Sequence, residues 1–85
     1  MPNSKGLARL AGIWCNDPVF LAWLEDVSGR DFNPDDAKEF VLLACGIASR
    51  SELDINEHAE RAFNVEVRRP FLAWRNAHPD EVAKH

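Results

Sequence analysis

Apolar residues recur along this chain with the three-to-four spacing of helices, and capping residues stand where such helices would begin. Leu7, Leu10, Ala11 and Trp14 keep the 3.6-residue period, with Ser4 placed to cap the start and an end near Cys15-Asn16. Asp17-Pro18 opens a second helix, because Asp accepts from free N–H groups and Pro loses nothing at the first helical position. Its stripe is Phe20, Trp23, Leu24 and Val27, and Gly29 supplies a left-handed end. Asn33-Pro34-Asp35-Asp36 repeats the start signal with two carboxylates at the positive end of the helix dipole. Phe32 is placed to staple onto Ala37; Ala37, Phe40, Val41 and Ala44 form the stripe, widened by Leu42 and Leu43; Gly46 ends it and Ile47 folds back. Ser49-Arg50-Ser51-Glu52 fits a capping box for a short helix over 50–53, anchored by Leu53.

Asn56 caps the longest element, in which Ala59, Phe63 and Val67 lead into Phe71 and Trp74. Pro70 removes one N–H and biases Arg69 away from helix. Residues 59, 63, 67, 70 and 74 nevertheless share a face, so the pattern predicts a kinked helix or two helices meeting at Arg69. The expected fold is all-α, a compact orthogonal bundle of four to five short helices over residues 1–78, with 79–85 a frayed tail. The expected core is Leu10, Trp14, Phe20, Trp23, Leu24, Val27, Phe40, Val41, Ala44, Phe63, Val67, Phe71 and Trp74. Phe-Leu-Ala-Trp occurs at 20–23 and at 71–74, but the flanks differ, and shared helix-start chemistry accounts for it better than duplication.

Composition narrows the class. The chain has 85 residues, is 46% hydrophobic and 28% charged, which fits a folded domain and not a disordered segment. No apolar run approaches the roughly 20 residues of a membrane span, and the first residues lack the apolar stretch of a signal peptide. Two cysteines, Cys15 and Cys45, make no disulfide framework; both sit among apolar residues and read as buried thiols, so a reducing cytoplasm is expected.

Net charge is −4, which argues against a general nucleic-acid binder. The charge is uneven: residues 31–60 carry two basic and eight acidic groups, whereas 61–75 carry Arg61, Arg68, Arg69 and Arg75 against Glu66. The acidic stretch could imitate a phosphate backbone, although helix caps account for several of its carboxylates.

Reaction chemistry finds little support. His58, His78 and His85 have no metal-ligand spacing between them or with the cysteines, so no metal or other cofactor is expected. Cys45 lies in LLACGI, a core context unsuited to a nucleophile, and no phosphate loop or nucleophile elbow is present. Asp35 and Asp36 are a helix start before they are a catalytic pair. No enzymatic activity is expected.

The arginines carry the functional reading. In one straight helix over 57–77, Arg61, Arg68 and Arg75 recur every seven residues and fall within about 40° of one another. Val65 and Leu72 lie on the same outward strip, with Arg69 beside it. A strip of guanidinium and aliphatic groups suits docking on another protein. The competing reading is a solvated face with Glu57 and Arg61 paired across one turn. A second functional reading is a nucleic-acid accessory factor, with Arg61, Arg68, Arg69 and Arg75 on phosphates and an exposed Trp74 for stacking. A homodimer through Leu72 or Leu21 is also open.

Three stretches, AGIWCNDPVFLAWL, ACGIASRSELD and VRRPFLAWR, together resemble small helical proteins encoded by bacteriophages and prophages, among early replication and recombination genes. The likeness spans about residues 8–75. It implies a bacterial cytoplasmic setting and no active residues; the partner expected for the arginine strip is a phage or host protein.

Overall fold

Helix α1 (Leu7–Cys15) begins without a side-chain cap of its own, at Gly6 with φ 115°. Its free N–H groups are met from across the chain instead. One carboxylate oxygen of Asp54, Oδ1, accepts from the backbone N–H groups of Gly6, Leu7 and Ala8 at 3.1, 3.1 and 3.3 Å. The computed structural model describes residues 6–84; the expected cap at Ser4 lies outside the described residues.

The other starts are local. Asp17 accepts from Val19 N–H at the head of α2 (Pro18–Ser28), which ends at Gly29 with φ 76°. Asn33 and Asp36 exchange hydrogen bonds in a capping box at the head of α3 (Pro34–Cys45). Gly46 ends that helix, Ile47 N–H turns back to donate to the Leu42 carbonyl, and the Ile47 side chain is buried. A 3-10 turn over Arg50–Asp54 follows, with Glu52 accepting from the N–H groups of Ala48 and Ser49. Asn56 caps α4 (Glu57–Phe63) by accepting from His58 and Ala59.

Beyond Phe63 the chain stays helical through Pro70. A wide π turn spans Asn64–Arg68, in which Arg69 N–H donates to the Asn64 carbonyl, and α5 (Arg69–Ala77) continues from it. The irregularity expected at the proline thus sits immediately before it. A π turn is one of the few ways a helix absorbs a register change next to a missing donor. Its effect on the core is direct. In a regular α-helix every step of four residues overshoots a full turn by about 40°, so a row spaced by four drifts off its face. The wide turn removes part of that drift, and Ala59, Phe63, Val67 and Phe71 are all fully buried.

A last helix, α6 (Pro79–Lys84), replaces the frayed tail expected for this stretch and packs against α5 and α2. Asp80 and Glu81 in its first turn and Lys84 in its last suit the helix dipole. The fold is all-α and compact. Helix α1 packs on the 3-10 turn and α3, α3 on α4, and α2 on α5.

The centre is aromatic. The Phe71 ring lies 4.9 Å from those of Trp14 and Phe20 and 5.6 Å from that of Trp23, and Trp14 stacks on Phe63 at 5.9 Å. Val27, expected in the core, is 61% exposed, in a stretch, 26–29, that is all at the surface. Leu10, Phe40, Ala44 and Trp74 are half-buried at the edge of the core. Among the described residues, no helix is long and apolar enough to cross a membrane.

Candidate interaction face

The π turn also rearranges the outward arginines. The four-residue register that aligns Ala59, Phe63 and Val67 inward aligns Glu57, Arg61, Val65 and Arg69 two positions away, on the opposite side. Glu57, Glu60, Arg61, Asn64, Val65 and Arg69 together line an open groove of about 350 Å³. The straight-helix strip of Arg61, Arg68 and Arg75 is therefore split. A seven-residue repeat returns to one side only where every residue turns about 100°, and the residues between 61 and 68 include the π turn.

Each expected site residue has a definite place. Arg61, Arg68 and Arg69 are exposed, and Val65 is 44% exposed among them. Arg68 Nη1 donates to Asn64 Oδ1 at 3.5 Å. Leu72 does not point outward with them; it is half-buried against the core. Arg75 turns away, its guanidinium 5.4 Å from the Phe71 ring centre, within cation–π range. It lines a separate depression with Asn76, Pro79, Val82 and Ala83.

The guanidinium groups around Val65 are not used in internal ion pairs among the described residues. Arg61 and Glu57, one turn apart, make no ion pair, and neither Arg61 nor Arg69 has an ion pair or hydrogen bond among the described residues. The ion pairs lie elsewhere, Arg30 with Asp36 at 3.8 Å and Lys84 with Glu81 at 3.6 Å. On the other side of the Arg61–Val65 ridge, against α3, a second groove is lined by Ala44, His58, Arg61, Ala62, Val65 and Glu66.

Trp74 is not available as a stacking platform. Its indole N–H donates to Asp26 Oδ2 at 2.9 Å, and its ring stacks on His78 at 4.3 Å between centroids. His78 Nδ1 closes the corner at 2.8 Å from the Trp74 carbonyl oxygen. The corner ties α2, α5 and the start of α6 together. Only the tertiary pairing of Asp26 with Trp74, far apart in sequence, brings it about.

The two thiols are buried, and burial raises both above the ordinary value. For Cys15 the nearby Arg50, through a hydrogen bond and its charge, opposes the effect in part. Cys45 is pushed up to about 11, with the Glu66 carboxylate adding to burial. Neither is a thiolate at neutral pH, which a nucleophile requires. Among the described residues no group of three or more His, Cys, Asp and Glu side chains converges as a metal site.

The Cys45 environment makes stability depend on pH. Below the ordinary value of 9.0 the thiol is protonated in both folded and unfolded chains and contributes no slope. Between 9.0 and about 11 the unfolded chain ionises first, so stability falls as pH rises through that window. The loss from this residue should reach about 2–3 kcal/mol at most. Thermal melts across the window should show a shallower decline for Cys45→Ala than for the wild type; parallel declines would refute the assignment.

No protein-family model, curated protein or solved structure matches the chain.

Proposed function

We propose that this chain is a small non-enzymatic module that docks on another protein through the outer face of α4, the π turn and the start of α5. Arg61, Val65, Arg68 and Arg69 form that face; Leu72 and Arg75 do not belong to it. The observation that carries the reading is the pair Arg61 and Arg69, exposed, without a partner among the described residues, on either side of exposed Val65. Guanidinium groups are desolvated more readily than ammonium groups and pair carboxylates in a fixed fork. The matching surface carries carboxylates around an apolar centre. Protonated thiols and open, shallow grooves support a role without catalysis. The likeness to phage and prophage proteins supports an origin in such an element and action in the bacterial cytoplasm.

The nucleic-acid reading stands second. It uses the same guanidinium groups on phosphates, but Trp74 is held by Asp26 and His78, and the net charge of −4 opposes a polyanion.

The test is affinity capture of the tagged full chain from an expressing bacterium, comparing wild type with Arg61→Glu/Arg69→Glu. The double variant should lose the captured protein with an unchanged circular dichroism spectrum, and Arg75→Glu should keep it. Equal capture by the double variant refutes the face. Binding to DNA at low salt that falls steeply as salt is added would replace this reading with the second.

A further inference from the structure

Resting on that docking face, we infer that its occupant is an acidic amphipathic helix of another protein. Its carboxylates lie over Arg61 and Arg69, an apolar side chain lies on Val65, and a basic end lies over Glu57 and Glu60. The face is built from two neighbouring rows with a step of four residues. Glu57, Arg61, Val65 and Arg69 make one row, and Glu60, Asn64 and Arg68 make the other. The open groove of about 350 Å³ runs between them, and the 3.5 Å hydrogen bond from Arg68 to Asn64 runs along the second row. Each row begins with a carboxylate and ends with a guanidinium. The face therefore has an acidic end and a basic end, roughly 18 Å apart. Among the described residues the side chains of Glu57, Glu60, Arg61 and Arg69 make no ion pair or hydrogen bond, so all four are open to an incoming group.

Three features select the occupant. The chain from α4 through the π turn into α5 is helical throughout, so the face has no strand edge on which an extended peptide could form a ladder. A helix satisfies its own backbone and binds by side chains alone. The spacing suits one as well. Positions eight apart on an α-helix stand about 12 Å apart along it, close to the separation of Arg61 and Arg69 on their own helix. The position midway meets Val65, which is 44% exposed and offers nothing to a phosphate. Finally, Glu57 and Glu60 line the same groove as the two arginines. They repel a continuous polyanion laid along it and attract a basic side chain, so the order of charges selects a protein helix over a nucleic acid.

Fluorescence anisotropy with two labelled, end-blocked peptides tests this. Both are helices of alanine and glutamine. The first carries Glu, Leu, Glu and Lys in that order at steps of four, an order that also suits its own dipole. In the second, Glu and Lys are exchanged. The wild-type full chain should bind the first peptide at least about 10-fold more tightly than the second. Arg61→Glu/Arg69→Glu should reverse that preference, and Arg75→Glu should leave it unchanged. Circular dichroism checks that both variants fold. No binding of the first peptide by the wild type, equal binding of the two, or a preference that the double variant keeps each overturns the acidic helix. Tighter binding of a DNA duplex than of the first peptide at about 0.15 M salt also overturns it, in favour of a polyanion. Failure of the peptides with partner capture still lost in Arg61→Glu/Arg69→Glu refutes the helix and leaves the docking face standing. Equal capture by that variant refutes the face itself.

Discussion

Replacing Phe71 by alanine is expected to cost about 3–5 kcal/mol, the range for removing a buried aromatic ring. Phe71 is fully buried, and its ring is within 6 Å of three others, those of Trp14, Phe20 and Trp23. Two of those contacts are edge-on, the geometry in which the positive rim of one ring meets the negative face of another. Its removal leaves a void at the meeting point of α1, α2 and α5. A chain of this length holds a total stability of about 4–13 kcal/mol, so the variant should be marginal. Its melting temperature should fall by at least about 12 °C. Phe40→Ala is the contrast: that side chain is half-buried at the edge, and the loss should be clearly smaller. Equal melting temperatures for Phe71→Ala and the wild type would refute the aromatic centre.

Leu53→Ala is expected to cost about 2–5 kcal/mol by the same cavity argument. The 3-10 turn that carries Leu53 has no other buried residue, and it packs on both α1 and α4. Leu53 therefore holds the turn in place, and the turn in turn holds Asp54 at the head of α1. Asp54→Ala leaves the Gly6, Leu7 and Ala8 N–H groups without their acceptor. Its own cost should be about 1–2 kcal/mol, as for other lost caps. Urea unfolding of the two variants separates the effects. A loss in Leu53→Ala no larger than in Asp54→Ala would show that the turn is held by its cap and not by its anchor.

The starts and stops of most helices were legible in the amino-acid sequence because their chemistry is local. Asp17-Pro18, Asn33 with Asp36, Ser49 with Glu52, and Asn56 each meet N–H groups within three residues, and Gly29 and Gly46 sit at positive φ where the chain turns. The apolar stripes named most of the core for the same reason, since period alone selects a face. Val27 was misplaced because period says which way a side chain points and not how far the neighbouring elements reach. α6 was read as tail because its six residues bury nothing that a pattern could reveal.

The candidate face was half legible. Its arginines stand out in the charge distribution, but their grouping does not, because a seven-residue strip presumes a straight α-helix. The π turn before Pro70 regroups Arg61 and Arg69 around Val65 and sends Arg75 towards Phe71. Sequence by itself thus determined an all-helical chain, its caps, its aromatic interior and an arginine-rich last third, all consequences of neighbours within a turn or two. Tertiary structure alone decided that Asp54 caps α1, that Asp26 holds Trp74, and which arginines share a surface. Those outcomes depend on groups some fifty residues apart, or on a change of helical winding, and no local preference encodes either.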